Sequence, residues 1–227
     1  MKVLFLGPAA SGKTTLVWKF GDYLKEQEID VCRVNLDCAV KMLPYKPDFD
    51  VREFFTLESI MQKYNLGPNG ALMKSIELIF ELQENILNFL KDFEISLIDF
   101  PGQLELAIFH PLKLSELFKE KGVAVFLLPA DLLQNSKDYV FLKLINLAVD
   151  YRLDMPCVHV VSKSDLLEEC MLRKKEIEDD FTAQLMEIIE KSQSAQRLVC
   201  VSPLKEKGFE ELYSLIHEAF CTCGDME

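Results

Sequence analysis

Five stretches of the chain are apolar almost without interruption: KVLFL (2–6), ISLIDF (95–100), VAVFLL (123–128), CVHVVS (157–162) and RLVCVS (197–202). A strand with one wet face alternates apolar and polar residues. A strand that does not alternate must be covered on both faces, and that is the condition of a parallel sheet between two layers of helices. A sixth run, VCRVNL (31–36), reads as a strand with one polar interruption. Helical patterns separate the runs. Within 73–93, Ile76, Ile79, Leu82, Ile86, Leu90 and Phe93 recur at three- and four-residue spacing. Strands alternating with helices predict an α/β, three-layer fold with a mainly parallel sheet flanked by helices.

Length and charge narrow the class. The 227 residues are enough for one domain with a full core, and neither linker, repeat nor low-complexity segment divides them, so a single domain over 1–227 is expected. At 49% hydrophobic residues the chain is globular, not disordered. A net charge of −12 without a basic block argues against direct nucleic-acid binding and against an anionic membrane surface. No stretch reaches about 18 uninterrupted apolar residues, so no membrane span is expected. The seven cysteines are scattered, with Cys32, Cys157 and Cys200 in or beside strand-like runs. This is the cysteine usage of a reducing cytoplasm. Cys221 and Cys223 form one C-x-C, a weak metal signal without a second pair.

The first strand runs into GPAASGKTT (7–15), which fits G-x-x-x-x-G-K-[ST] with Gly7, Gly12, Lys13 and Thr14 and opens a predicted helix. Successive backbone N–H groups of such a loop bind anionic oxygens. Gly12 lets the backbone approach, Lys13 neutralises the β- and γ-phosphates, and the Thr14 hydroxyl is a hard ligand for Mg²⁺. Ala10, Ser11 and Thr15 complete the predicted nucleotide-binding loop of a P-loop NTPase fold.

The 95–100 run ends in LIDFPGQLE. An acid at the C-terminal end of such a strand faces the ligand crevice, so Asp99 is the second predicted Mg²⁺ residue. Gly102 can turn its N–H toward a γ-phosphate. Gln103 and Glu105 are candidates to position an attacking water, although Glu105 also suits the exposed start of a helix. Upstream, Asp37 in RVNLDCAV is a further candidate for the metal shell or the water. Arg52 in DVRE (50–53) can reach a phosphate or pair with Asp50 or Glu53.

On the base side, Asp165 in VVSKSD (160–165) can accept from both donors on the guanine edge, a pair that adenine lacks. The Lys163 stem can cover the base. Ser162 stands where the guanine signature usually has Asn. The final base-contacting loop is expected in CVSPLKEKG (200–208), at Ser202 and Leu204, because Pro203 has no N–H to offer.

One stretch serves none of these roles. NLGPNGAL (65–72) packs Gly67, Pro68, Asn69 and Gly70 between helix-friendly segments, a stiff connection with a carboxamide at its tip. Together with GPAASGKTT, VNLD, LPY, DVRE, DFPGQLE, SKSD and the terminal CTCGD, it makes the chain resemble the GPN-loop GTPases, most closely their archaeal branch. Cys38 replaces the family's usual Pro or Thr after VNLD, and Phe100 its usual Thr before Pro. The resemblance covers nearly the whole chain, with the GPN-loop insertion at about 65–72. It implies GTP and GDP as ligands, Mg²⁺ as cofactor and a homodimer of the dimerisation-activated class. In that class the Gly67-Pro68-Asn69 motif enters the partner's site, and Asn69 donates its amide to the γ-phosphate or the released phosphate. It also implies a protein client related to RNA polymerase assembly. A client-binding module with slow hydrolysis is the alternative, its cleft lined by segments such as FHPLKLSELF (109–118). A P-loop kinase would need a basic acceptor site.

Overall fold

Side chains that alternate across a strand explain why the runs are apolar throughout. On β1 (Lys2–Leu6), Val3 and Phe5 enter one buried cluster and Leu4 and Leu6 another. The computed structural model describes residues 1–102, 118, 122–133, 136–153, 155–166, 180–192 and 198–224. After β1 come α1 (Lys13–Glu26), β2 (Val31–Asn35), β3 (Phe49–Asp50), α2 (Leu57–Tyr64), α3 (Pro68–Glu81), α4 (Gln83–Leu90) and β4 (Ile95–Asp99). The second half holds β5 (Gly122–Pro129), α5 (Ser136–Arg152), β6 (Cys157–Ser162), α6 (Asp180–Ser192), β7 (Val199–Cys200) and α7 (Phe209–Gly224).

The seven strands form one sheet in the order β3-β2-β4-β1-β5-β6-β7. Every pairing is parallel. Leu16, Val17, Phe20 and Leu24 of α1 and Phe209, Leu212, Leu215 and Ile216 of α7 close one face. Ile60, Ala71, Ile76, Ile79, Ile86 and Leu90 of α2, α3 and α4, with Leu142 and Val149 of α5, close the other. Burying each such aliphatic side chain contributes about 1.5–3 kcal/mol, so both layers are needed to hold the sheet. No helix among the described residues is long and apolar enough to cross a membrane.

Three expectations need correction. Within the described part of the 197–202 run, strand β7 spans only Val199–Cys200 while Ser202 forms an isolated bridge to Lys207, and the two-residue strand β3 carries too little sequence for a periodicity to show. The periodic stretch 73–93 is two helices, broken at Leu82, which lies outside the helical region with φ −91 and ψ 5. Neither Pro nor Gly stands at the break.

The third correction concerns GPNG. Gly67 is the N-cap of α3, and Pro68, Asn69 and Gly70 are its first turn. Proline fits there because a first-turn N–H has no intrahelical acceptor. The left-handed residue of the connection is Asn65, with φ 52, which ends α2. The motif thus presents Asn69 from the start of a helix, not from the tip of a loop.

Candidate functional site

Register brings the functional strand ends together. Asn35 of β2 pairs with Asp99 of β4, Phe5 of β1 pairs with that same Asp99, and Pro129 of β5 pairs with Ser162 of β6. The residues that follow these ends open into the crevice at the carboxyl edge of the sheet.

The phosphate loop leaves β1 at Gly7 and enters α1 at Lys13. Gly12 caps the helix in the left-handed region, φ 89, where an L side chain is strained. Ala10 holds φ 60 without being glycine, the kind of backbone cost that a functional loop retains. Lys13 is 7% exposed, and its Nζ donates to the carbonyls of Gly7 and Pro8, each at 3.0 Å. Burial lowers its pKa, against the charges of Asp99 and Asp37. Gly102 closes over this lysine: a Cβ there would lie 3.1 Å from Lys13 Nζ and 3.1 Å from Ala9 Cα. The absence of a side chain at 102 keeps the space beside the ammonium open.

Asp99 is 1% exposed, and neither carboxylate oxygen has a partner of full hydrogen-bond geometry among the described residues, although the Thr14 hydroxyl lies close enough to act on the carboxylate. Burial raises its pKa to about 7; the Thr14 hydroxyl and the Lys13 ammonium oppose the shift, and the Asp37 charge adds to it. A buried carboxylate with idle oxygens beside a threonine hydroxyl is a hard-oxygen donor set that fits Mg²⁺.

Asp37 sits in a turn built by its neighbours. Its N–H donates to Asn35 Oδ1 at 3.1 Å, and its Oδ1 accepts from the Ala39 N–H at 2.9 Å. Asn35 Nδ2 donates to Asp50 Oδ1 at 2.9 Å, and Arg52 Nε donates to both oxygens of Asp50, at 2.9 and 3.1 Å. Arg52 Nη1 also donates to the Val40 carbonyl at 3.1 Å. Arg52 is therefore engaged with Asp50 and the Asp37–Lys41 turn. Burial would raise the Asp50 carboxyl, but the hydrogen bonds from Arg52 and Asn35 prevail and hold it below its ordinary value. A cavity of about 400 Å³ beside this network is walled by Lys41, Asp50, Arg52, Glu53 and Glu58 among others. Its acids outnumber its bases, so it is not a polyphosphate pocket.

On the base side, Ser162 Oγ donates 2.7 Å to the Ser11 carbonyl, and both residues are fully buried. Ser162 thus reaches the phosphate loop. Asp165 is exposed, and one of its oxygens accepts from the buried Ser202 hydroxyl. Lys163 takes φ 55, and its Nζ pairs with Asp131 Oδ2 at 2.9 Å. The Pro203–Lys205 turn leaves Leu204 72% exposed.

The structure therefore gathers Gly7, Lys13, Thr14, Asp99 and Gly102 around one space, with the Asp37 charge acting on Lys13 and Asp99 and Ser162 bound to the loop at Ser11. Thr15 continues α1. Gln103 and Glu105 lie outside the described residues, as do most of 109–118. Gly67, Pro68 and Asn69 are exposed, and the Asn69 carboxamide has no hydrogen bond among the described residues. Sequence reasoning missed Asp131, which restrains Lys163; its only signal was an acid just past a strand end. Tyr45 of the LPY stretch, to which sequence gives no role, has a buried hydroxyl without a partner among the described residues.

Residues 5–222 match the family described as "Conserved hypothetical ATP binding protein". The chain is 36% identical to the GPN-loop GTPase PAB0955 of Pyrococcus abyssi over the full length of both. It is 35% identical to the GPN-loop GTPase QQT1 of Arabidopsis thaliana over 71% of this chain and 57% of that protein. The crystal structure of the Pyrococcus abyssi PAB0955, a GTPase in apo form, matches with a TM-score of 0.83 at 33% identity, covering 98% of each chain. A cobyrinic acid a,c-diamide synthase from Mycobacterium smegmatis matches at a TM-score of 0.51 and 16% identity, a likeness of fold alone. A strand–loop–helix phosphate cradle and a seven-stranded parallel sheet, matched end to end in sequence and in structure, place this chain in the GPN-loop GTPase family.

Proposed function

We propose that this GTPase works as a magnesium-dependent homodimer in which the Gly67-Pro68-Asn69 motif of one subunit completes the nucleotide site of the other. The observation that carries the magnesium part of the reading is Asp99, a buried carboxylate whose oxygens have no partner of full hydrogen-bond geometry, near Thr14 and Lys13; the dimer and the in-trans motif rest on the family resemblance. Thr14 and Asp99 would hold Mg²⁺, which supplies charge neutralisation across the β- and γ-phosphates. Lys13 would leave the Gly7 and Pro8 carbonyls to contact the same phosphates. The loop N–H groups and Gly102 line the anion's position. Asp165, steadied by Ser202, would read the guanine edge, with the Lys163 stem over the base and Leu204 at the margin. Asp37, Gln103 and Glu105 are the candidates to hold the water that attacks the γ-phosphate.

Asn69, exposed at the start of α3, would donate its amide to the γ-phosphate or the released phosphate of the partner's site. A neutral donor there stabilises developing charge without adding a titrating group. A cytoplasmic role in assembling a protein complex such as RNA polymerase rests on the family resemblance.

The test is GTP hydrolysis per subunit as a function of protein concentration, with ATP alongside and subunit mass measured at each point. A specific rate that rises as dimer forms, with ATP inert, supports the reading. A monomer that hydrolyses GTP at the full rate overturns the in-trans site.

A further inference from the structure

We propose that Asp150, Cys157 and His159 form a binding site for a transition-metal dication of the zinc class, separate from the nucleotide site. Cys157 and His159 are two apart on β6, so their side chains emerge on the same face of the sheet. Asp150 lies in the last turns of α5, which covers that face. One donor atom from each of the three residues lies within 4.8 Å of the others. His159 Nε2 and Asp150 Oδ2 are 2.9 Å apart. Tetrahedral ligands about 2.0–2.3 Å from a central ion sit at a similar mutual spacing, so small side-chain shifts would admit one.

Two further observations bear on this cluster. Asp150 Oδ1 and His159 Nδ1 are both buried without a hydrogen-bond partner among the described residues. A pair retained only for packing leaves such atoms idle at a cost, whereas an ion gives the carboxylate a second use. Burial is also graded: the His159 side chain is 8% exposed and that of Asp150 34%. Asp150 is therefore the member of the cluster nearest solvent.

The donor chemistry selects the ion. A thiol, an imidazole and a carboxylate suit zinc, while magnesium and calcium prefer all-oxygen shells such as that of Thr14 and Asp99. The two sites would not compete. On binding, the Cys157 thiol forms its bond to the metal and releases its proton to solvent. The neutral imidazole ligates through whichever ring nitrogen carries no proton, and keeps its own proton on the other. One proton leaves per ion. Burial, the Asp150 charge and a hydrogen bond to the Asp150 side chain all favour the protonated thiol, so the cation must displace that proton. The ion would tie the end of α5 to β6, the strand that leads into Ser162 and Asp165.

Cobalt(II) titration of the full chain tests the site, after chelator dialysis and in a Cys221→Ser/Cys223→Ser background that removes the terminal thiols. The expected result is one cobalt per chain with a sulfur-to-cobalt charge-transfer band, displaced by zinc and abolished by Cys157→Ser. No thiolate band, or one unchanged by Cys157→Ser, overturns the proposal. Asp150→Asn, at the most exposed member, guards against a misfolded cysteine variant: cobalt affinity should fall at least tenfold, and an unchanged affinity also overturns it. GTP turnover without added metal beyond magnesium should be the same in Cys157→Ser and its parent.

Discussion

The Ser162 hydroxyl donates 2.7 Å to the carbonyl of Ser11, joining the strand that leads to the base-facing loop to a phosphate loop 151 positions earlier. One buried hydrogen bond thereby couples the two halves of the proposed nucleotide site. Ser162→Ala leaves the Ser11 carbonyl buried and unpaired, which costs about 1–3 kcal/mol. Urea unfolding should report that loss, and GTP affinity should fall with it. A full loss of stability with unchanged affinity would mean that the bond braces the fold and not the site.

Asp99 makes stability depend on pH with a sign opposite to that of most carboxylates. Its folded pKa, raised by burial to about 7, lies above the ordinary 3.8. The folded state holds its proton where the unfolded state has lost it. The contribution is therefore full below 3.8 and is lost as pH rises toward about 7. Without metal or nucleotide, Asp99→Asn should be more stable than its parent at pH 8, by about 1–4 kcal/mol, and this advantage should shrink toward pH 4. Thermal melts of the two proteins across that range measure it. A constant difference would place the titration elsewhere. Magnesium must displace the same proton, so its affinity should weaken on acidification through about 7.

Arg52 is a positioning residue for the Asp37 turn through Asp50 and Asn35. Arg52→Ala strands the Asp50 carboxylate and frees the Val40 carbonyl, at a cost of about 1–3 kcal/mol. Lysine cannot reproduce the forked contact, so Arg52→Lys should recover less than half of the loss. A double-mutant cycle with Asp50→Asn isolates the pair. Additive effects would show that the two side chains do not act together.

Asn69 stands on an exposed helix start, and its carboxamide makes no hydrogen bond within its own chain among the described residues. Asn69→Ala should leave melting temperature and GTP binding near those of the parent, while single-turnover hydrolysis falls roughly 10²-fold, the scale of one lost transition-state donor. Mixing it with a Lys13→Ala chain, which keeps Asn69 but lacks the phosphate lysine, should restore part of the rate. A normal single-turnover rate in Asn69→Ala would sink the in-trans role.

The sequence by itself determined the layer architecture, because strands apolar on both faces have no other stable place, and it determined the phosphate loop, because Gly12, Lys13 and Thr14 act through backbone and side-chain chemistry fixed at short range. It also marked Asp99 as an acid at a strand end. Tertiary structure alone decided the rest. That Asp99 has idle oxygens, that Arg52 spends its guanidinium on Asp50, and that Ser162 meets Ser11 depend on which strands become neighbours. The break at Leu82 and the helical setting of Asn69 carry no local signal strong enough to outweigh their turn dipeptides and periodicity. Periodicity reports which face is buried; only packing decides what lies against it, and therefore which polar groups are paired and which are left to bind.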